Sequence, residues 1–174
     1  HISENGEELT ENLEKIMYEI SGEIELVIVA HSMGGLVCRS AVHYGGLNGH
    51  GWIKCLRKMI FLGTPHHGAP LEQIGNLIDN LLQSNSHSAP ISKIGKLRSA
   101  GITDLRYGNI LNEDWSRYNR FAHVADQRKP VSLPLHIQCY SMAATISPSP
   151  GKLGDDLIGD GLVPLNSALG IHQN

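Results

Sequence analysis

Ser32 stands in Ala30–His31–Ser32–Met33–Gly34, with small residues two before and two after it. This is the spacing of a nucleophile elbow, where a strand turns directly into a helix and presents a hydroxyl at the bend. The demand is steric. The two backbones come close, so side chains at minus two and plus two would collide and both must be small. Ala30 adds one methyl to the usual glycine. The serine is expected in a strained backbone conformation, with the N–H of Met33 pointing to where an oxyanion would form.

A serine is a weak nucleophile until a histidine takes its proton and an acid orients that histidine. On such an elbow the chain order is Ser, then acid, then His. Asp155, Asp156 and Asp160 follow at a suitable distance. Asp160 is the choice, because Gly159 and Gly161 let the backbone turn sharply and aim its carboxylate. The plainer alternative is a turn aspartate bonding its own backbone.

Only His172 follows Asp160, after eleven residues. The base should come after a crossover of at least about 10–12 residues and a further strand of about 5. His172 is therefore read as a surface histidine, and the base is expected beyond Asn174. His31 adjoins the nucleophile, either lining an acyl pocket or packing under the turn. Thr64 and His66, in Gly63–Thr64–Pro65–His66–His67–Gly68, are read as pocket lining, with a hydrogen-bonded loop anchor as the alternative for the histidines. His66 and His67 lack a third ligand for a metal, so no metal is assigned.

The positioning elements follow from patterning. Residues 5–20 carry Leu9, Leu13, Ile16, Met17 and Ile20 at helical spacing, with Asn5 and Glu8 as a capping box. Residues 24–30 form a nearly continuous apolar strand, as expected when helices cover both sheet faces. A helix follows Ser32 and ends near Gly45–Gly46. Leu47 to Lys54 reads as a Gly-rich loop, 57–62 as a second strand, 71–82 as a helix behind Pro70, and 134–140 as a third strand. Residues 90–130 are weakly patterned. The stretches 147–151 and 154–164 read as loops, and no element is expected at the C-terminus. This is the order of a parallel α/β sheet, in which function collects at the carboxyl ends of the strands.

Composition narrows the classes. The 174 residues are 41% hydrophobic and 18% charged, enough for one domain with a core. The net charge of −3 comes without a basic run, which argues against a nucleic-acid or anionic-membrane partner. No stretch is long and apolar enough for a membrane span. Cys38, Cys55 and Cys139 are too scattered for a disulfide or zinc framework. The opening His1–Ile2–Ser3 carries neither Met nor a signal pattern, so a piece of a longer protein is expected, and neither compartment nor oligomeric state is legible.

Three motifs together carry a resemblance: Val29–Ala30–His31–Ser32–Met33–Gly34–Gly35–Leu36–Val37, Phe61–Leu62–Gly63–Thr64–Pro65–His66–His67–Gly68 and Gly159–Asp160–Gly161–Leu162–Val163–Pro164. They resemble α/β-hydrolases, in particular bacterial lipase/esterase-like serine hydrolases related to GPI inositol-deacylases. The opening His1–Ile2–Ser3–Glu4–Asn5–Gly6 and residues 99–106 are similar to that group too. The resemblance implies Ser32 as nucleophile, Met33 as oxyanion-hole donor and Asp160 as triad acid. It also implies a partial α/β-hydrolase fold, a parallel sheet flanked by helices, as a single truncated domain over 1–174 with a lid-like insertion at 84–130.

The expected activity is cleavage of a small-molecule or lipid carboxylic ester through an acyl-enzyme, with no cofactor. The histidine and half the oxyanion hole lie outside this stretch, so residues 1–174 alone are expected to be nearly inactive. The competing classes are a thioesterase or acyltransferase on the same fold, a non-catalytic binding domain, and an interaction protein with a chance elbow.

Overall fold

The computed structural model describes residues 1–69, 100–116, 131–144 and 163–171. Its centre is a parallel three-stranded sheet in the order β1 (Leu26–His31), β2 (Leu56–Leu62), β3 (Gln138–Met142). Helix α1 (Ile2–Glu19) precedes β1, and α2 (Met33–Leu47) follows it. The short α3 (Trp52–Cys55) leads into β2, α4 (Ala100–Tyr107) and α5 (Asn112–Ser116) come before β3, and α6 (Leu165–Leu169) follows. The parallel α/β architecture read from the element order is the one observed.

One face of the sheet is covered. Ala30, Met59 and Phe61 pack with Cys38, Ala41 and Val42 of α2 and Trp52 and Ile53 of α3. Leu9, Leu13 and Met17 of α1 close over that cluster. On the alternate positions Val27, Val29, Tyr140 and Met142 are exposed, Val29 at 62%. Among the described residues helices cover one sheet face, and the helix expected over 71–82 lies outside them. The apolar run in β1 reflects a strand apolar on both sides, while the covering is seen on one.

A second cluster joins Ile2 and Leu36 to Ile102, Leu105, Ile110 and Leu111. It docks α4 and residues 110–111 onto α1 and α2. Burying four such side chains contributes on the order of 6–12 kcal/mol before conformational entropy is counted. The α1–α2 contact itself is a small-residue seam: a methyl at Gly6 would overlap the Ser40 hydroxyl. Ser40 Oγ–H donates instead to the Ile110 carbonyl at 2.7 Å, linking α2 to the segment between α4 and α5.

Several boundaries differ from the sequence reading for tertiary reasons. Helix α1 starts at Ile2, not Asn5, because the Asp104 carboxylate accepts the Ile2 N–H at 3.0 Å. Ile16 and Ile20 of the expected apolar face are about half exposed. The loop expected over 47–54 contains α3, whose first N–H groups are held by Glu14 of α1: Gly51 and Trp52 donate to Oε1 and Oε2 at 2.9 and 3.0 Å. The third strand starts at Gln138, not near 134, because Ile137 N–H closes a turn on the Pro134 carbonyl. A terminal element exists, α6, stopped by Gly170 in a left-handed conformation at φ 69°. The expected helix over 71–82 and the loops at 147–151 and 154–162 lie outside the described residues.

The two N–H groups at Glu14 lower its carboxyl pKa below 4.5. A depressed carboxylate stabilises the fold above its unfolded pKa and loses that contribution as pH falls through the folded value. Glu14→Gln is expected to cost about 0.5–1.5 kcal/mol at pH 7. Denaturant titrations should show the difference from wild type shrinking below pH 4.5.

Candidate active site

Ser32 links β1 to α2 with φ 52° and ψ −130°. It is the sole non-glycine with positive φ among the described residues. The ψ value lies outside the ordinary left-handed basin, so the conformation costs on the order of 1–3 kcal/mol and has to be held by its surroundings. Two bonds do so. Ser32 N–H donates to the Leu62 carbonyl at the end of β2, at 2.9 Å, and its own carbonyl accepts Gly35 N–H at 3.0 Å. The side chain is half-buried, and Ser32 Oγ bonds no described residue.

Met33 opens α2, and its N–H donates to no described residue, as first-turn helix amides do not. Its side chain is 37% exposed. The close contact behind the turn differs from the one the spacing implied. A methyl on Gly34 would meet nothing within 4 Å, whereas one on Gly35 would overlap Thr64 Oγ1 and Cγ2. The tight position is thus plus three, and it faces the turn after β2.

His31 ends β1 and is exposed. Thr64 is completely buried, and its Oγ1 has no hydrogen-bond partner among the described residues. His66 is 8% exposed and stands edge-on to Phe61, with ring centroids 4.8 Å apart. Arg39 Nη1 donates to His66 Nδ1 at 3.3 Å, and Nη2 donates to the Val131 carbonyl. A guanidinium only donates, so Nδ1 is the unprotonated ring nitrogen. Asp160, Asp155, Asp156 and His172 lie outside the described residues.

Two residues that the sequence reading passed over tie this region together. Arg39 bridges α2, the turn after β2 and residue 131. Ser167 of α6 accepts His67 N–H on its hydroxyl at 3.1 Å and donates to the Gly68 carbonyl at 2.7 Å. Its backbone carbonyl accepts His66 N–H at 3.0 Å. The signal for Arg39 was faint, a lone cation on an otherwise apolar helix face. Ser167 carried none.

No group of three or more His, Cys, Asp or Glu able to hold a metal occurs among the described residues. The three cysteines are unpaired, and burial pushes the Cys38 thiol up to about 11, which keeps it protonated. No described helix is long and apolar enough to cross a membrane.

Burial first, then the Arg39 and His67 charges, lowers the His66 pKa from 6.5 to about 4. A depressed histidine binds its proton later in the folded chain than in the unfolded one. Stability therefore falls as pH drops from 6.5 toward 4, by up to about 3 kcal/mol for the full shift. His66→Asn keeps an acceptor for Arg39 and removes the titration. Its stability should decline less steeply than wild type between pH 6.5 and 4, and equal slopes would contradict the assignment.

Residues 6–141 match the family described as PGAP1-like alpha/beta domain. No curated protein matches the chain. Among solved structures, the fold is similar to Bacillus licheniformis lipase BlEst2 in its mature form, with a TM-score of 0.54 and 19% identity. That likeness covers 97% of this chain and 61% of the lipase chain, so the chain spans less than two thirds of the lipase's length. The strand–Ser32–helix turn, the parallel sheet and a match over most of the sequence lead to one assignment: the chain belongs to the family of PGAP1-like alpha/beta domains, with an α/β-hydrolase fold.

Proposed function

We propose that this chain carries the nucleophile and the acid of a serine carboxylic-ester hydrolase. The carrying observation is Ser32, held at φ 52° between a parallel strand and a helix. A non-glycine residue kept in so costly a conformation points to a function for its side chain. The lipase-like fold agrees with hydrolysis.

Ser32 Oγ attacks the ester carbonyl carbon as a histidine accepts its proton. The Met33 N–H donates to the oxyanion of the tetrahedral intermediate. The alcohol leaves with the proton returned by the histidine, and water repeats the sequence on the acyl-enzyme. Asp160 orients the histidine. None of the described histidines bonds Ser32; by the chain order Ser, acid, His the base follows Asp160. Small-molecule or lipid esters are the substrate class, with His31, exposed at the strand end, facing the acyl group. The 84–130 insertion is the cap over that site. No cofactor takes part.

In the product of the complete gene, assayed with a p-nitrophenyl ester, Ser32→Ala is expected to lower kcat by about 10⁴-fold or more. Asp160→Asn should fall by about 10⁴-fold. Asp155→Asn and Asp156→Asn should stay near wild type. Full activity in Ser32→Ala would end this reading, and a larger loss at Asp155 or Asp156 than at Asp160 would reassign the acid. A chelator should leave the rate unchanged, whereas loss restored by Zn²⁺ would bring His66 and His67 back as ligands.

A further inference from the structure

We infer that Thr64 is a positioning residue for Ser32, acting as a wedge whose shape sets the first turn of α2. This rests on the reading of Ser32 as nucleophile. It replaces the idea of Thr64 as a surface of the substrate pocket.

Three observations carry it. Thr64 is 0% exposed, so substrate does not reach it. Its side chain occupies the space where Gly35 lacks a Cβ, with Oγ1, Cγ2 and Cβ all inside contact distance of a methyl placed there. Gly35 in turn bonds the Ser32 carbonyl through its N–H. The side chain therefore bears on the peptide that closes the bend around the nucleophile.

The same short segment fixes the bend from the other side. Leu62, two residues before Thr64, accepts Ser32 N–H, and Gly63 N–H donates to Met142 at the end of β3 at 2.8 Å. Thr64 is thus joined through two peptide bonds to the carbonyl that pins Ser32. A rigid connection of this length couples the wedge to the nucleophile: widening the gap lets α2 settle toward β2 and carries Ser32 with it.

The hydroxyl itself is not what matters. Thr64 Oγ1 is buried with no hydrogen-bond partner among the described residues, so it contributes no bond to them that valine would lose. Replacing an unpartnered buried hydroxyl by a methyl is neutral or stabilising. Shape is what the site uses.

The test exchanges volume across the contact in the product of the complete gene. Thr64→Gly, Thr64→Val, Gly35→Ala and the double variant Gly35→Ala/Thr64→Gly are compared for kcat and KM on a p-nitrophenyl ester, for the rate of fluorophosphonate labelling, and for Tm. A displacement of about 1 Å at a reacting atom costs about 10²-fold. Gly35→Ala is therefore expected to lose about 100-fold in kcat and in labelling, and Thr64→Gly about 10-fold, both at little-changed KM. Thr64→Val should restore most of what Thr64→Gly loses. The double variant should recover at least about tenfold over Gly35→Ala, since the new methyl enters the vacated space.

A purely structural role would lower Tm and leave the labelling rate of folded protein unchanged, which would overturn the proposal. So would a valine variant as impaired as glycine, or a double variant no better than Gly35→Ala. Should Gly35→Ala not fold, the glycine and valine variants at Thr64 decide alone. A wild-type protein that is not labelled, or is labelled equally in Ser32→Ala, would overturn the nucleophile reading and the wedge with it. Ser32-dependent labelling that is indifferent to Thr64 would overturn the wedge only.

Discussion

The bend at Ser32 is the constraint on which the rest of the structure depends. A non-glycine residue at φ 52° and ψ −130° relaxes unless the strand before it and the helix after it are both held. Strand β1 is held by its parallel pairing with β2, from Val27 opposite Lys58 to His31 opposite Leu62. Helix α2 is held by Ala41 and Val42 in one apolar cluster and Leu36 in the other. The strain of about 1–3 kcal/mol is small beside that burial, so the bend is over-determined. The backbone of Ser32 is thereby fixed relative to both strands and to α2.

Polar bonds converge on the same end of the sheet. Arg39, Ser167 and the backbone of 63–68 join α2, β2, β3, α6 and residue 131. His66 at the centre of these bonds stays neutral at physiological pH because burial and the Arg39 guanidinium disfavour its charged form. It therefore serves as an acceptor and a packing surface. The opposite end of the molecule has its own ties, Trp52 Nε1–H to Thr10 at 2.9 Å and Glu14 to the start of α3, which hold α1 against α3 without reaching Ser32.

What could be read in advance was local. The apolar run 24–30, the small residues around Ser32 and the helical period after it are short-range signals, and β1, the bend and α2 follow from them. The parallel order follows from alternating strands and helices. What was missed depends on distant partners. Nothing near Ile2 announces that Asp104 will cap α1, and nothing near Trp52 announces Glu14. The need for glycine at position 35 is set by Thr64, which the chain brings close only when β2 pairs with β1. The rule of small residues at minus two and plus two identified the bend, although the tightest contact falls one residue later. Asp160 was read from its flanking glycines, its place in the chain order and the resemblance of the 159–164 motif.

The central claim is that Ser32 forms a covalent acyl intermediate. The direct measurement is peptide mass spectrometry of the complete gene product, quenched in acid during turnover of p-nitrophenyl acetate. The account predicts an acetyl group on the peptide containing Ser32, accumulating with the burst of nitrophenol and disappearing as substrate is exhausted. Turnover with no modified peptide, or with the acetyl group on another residue, would contradict it.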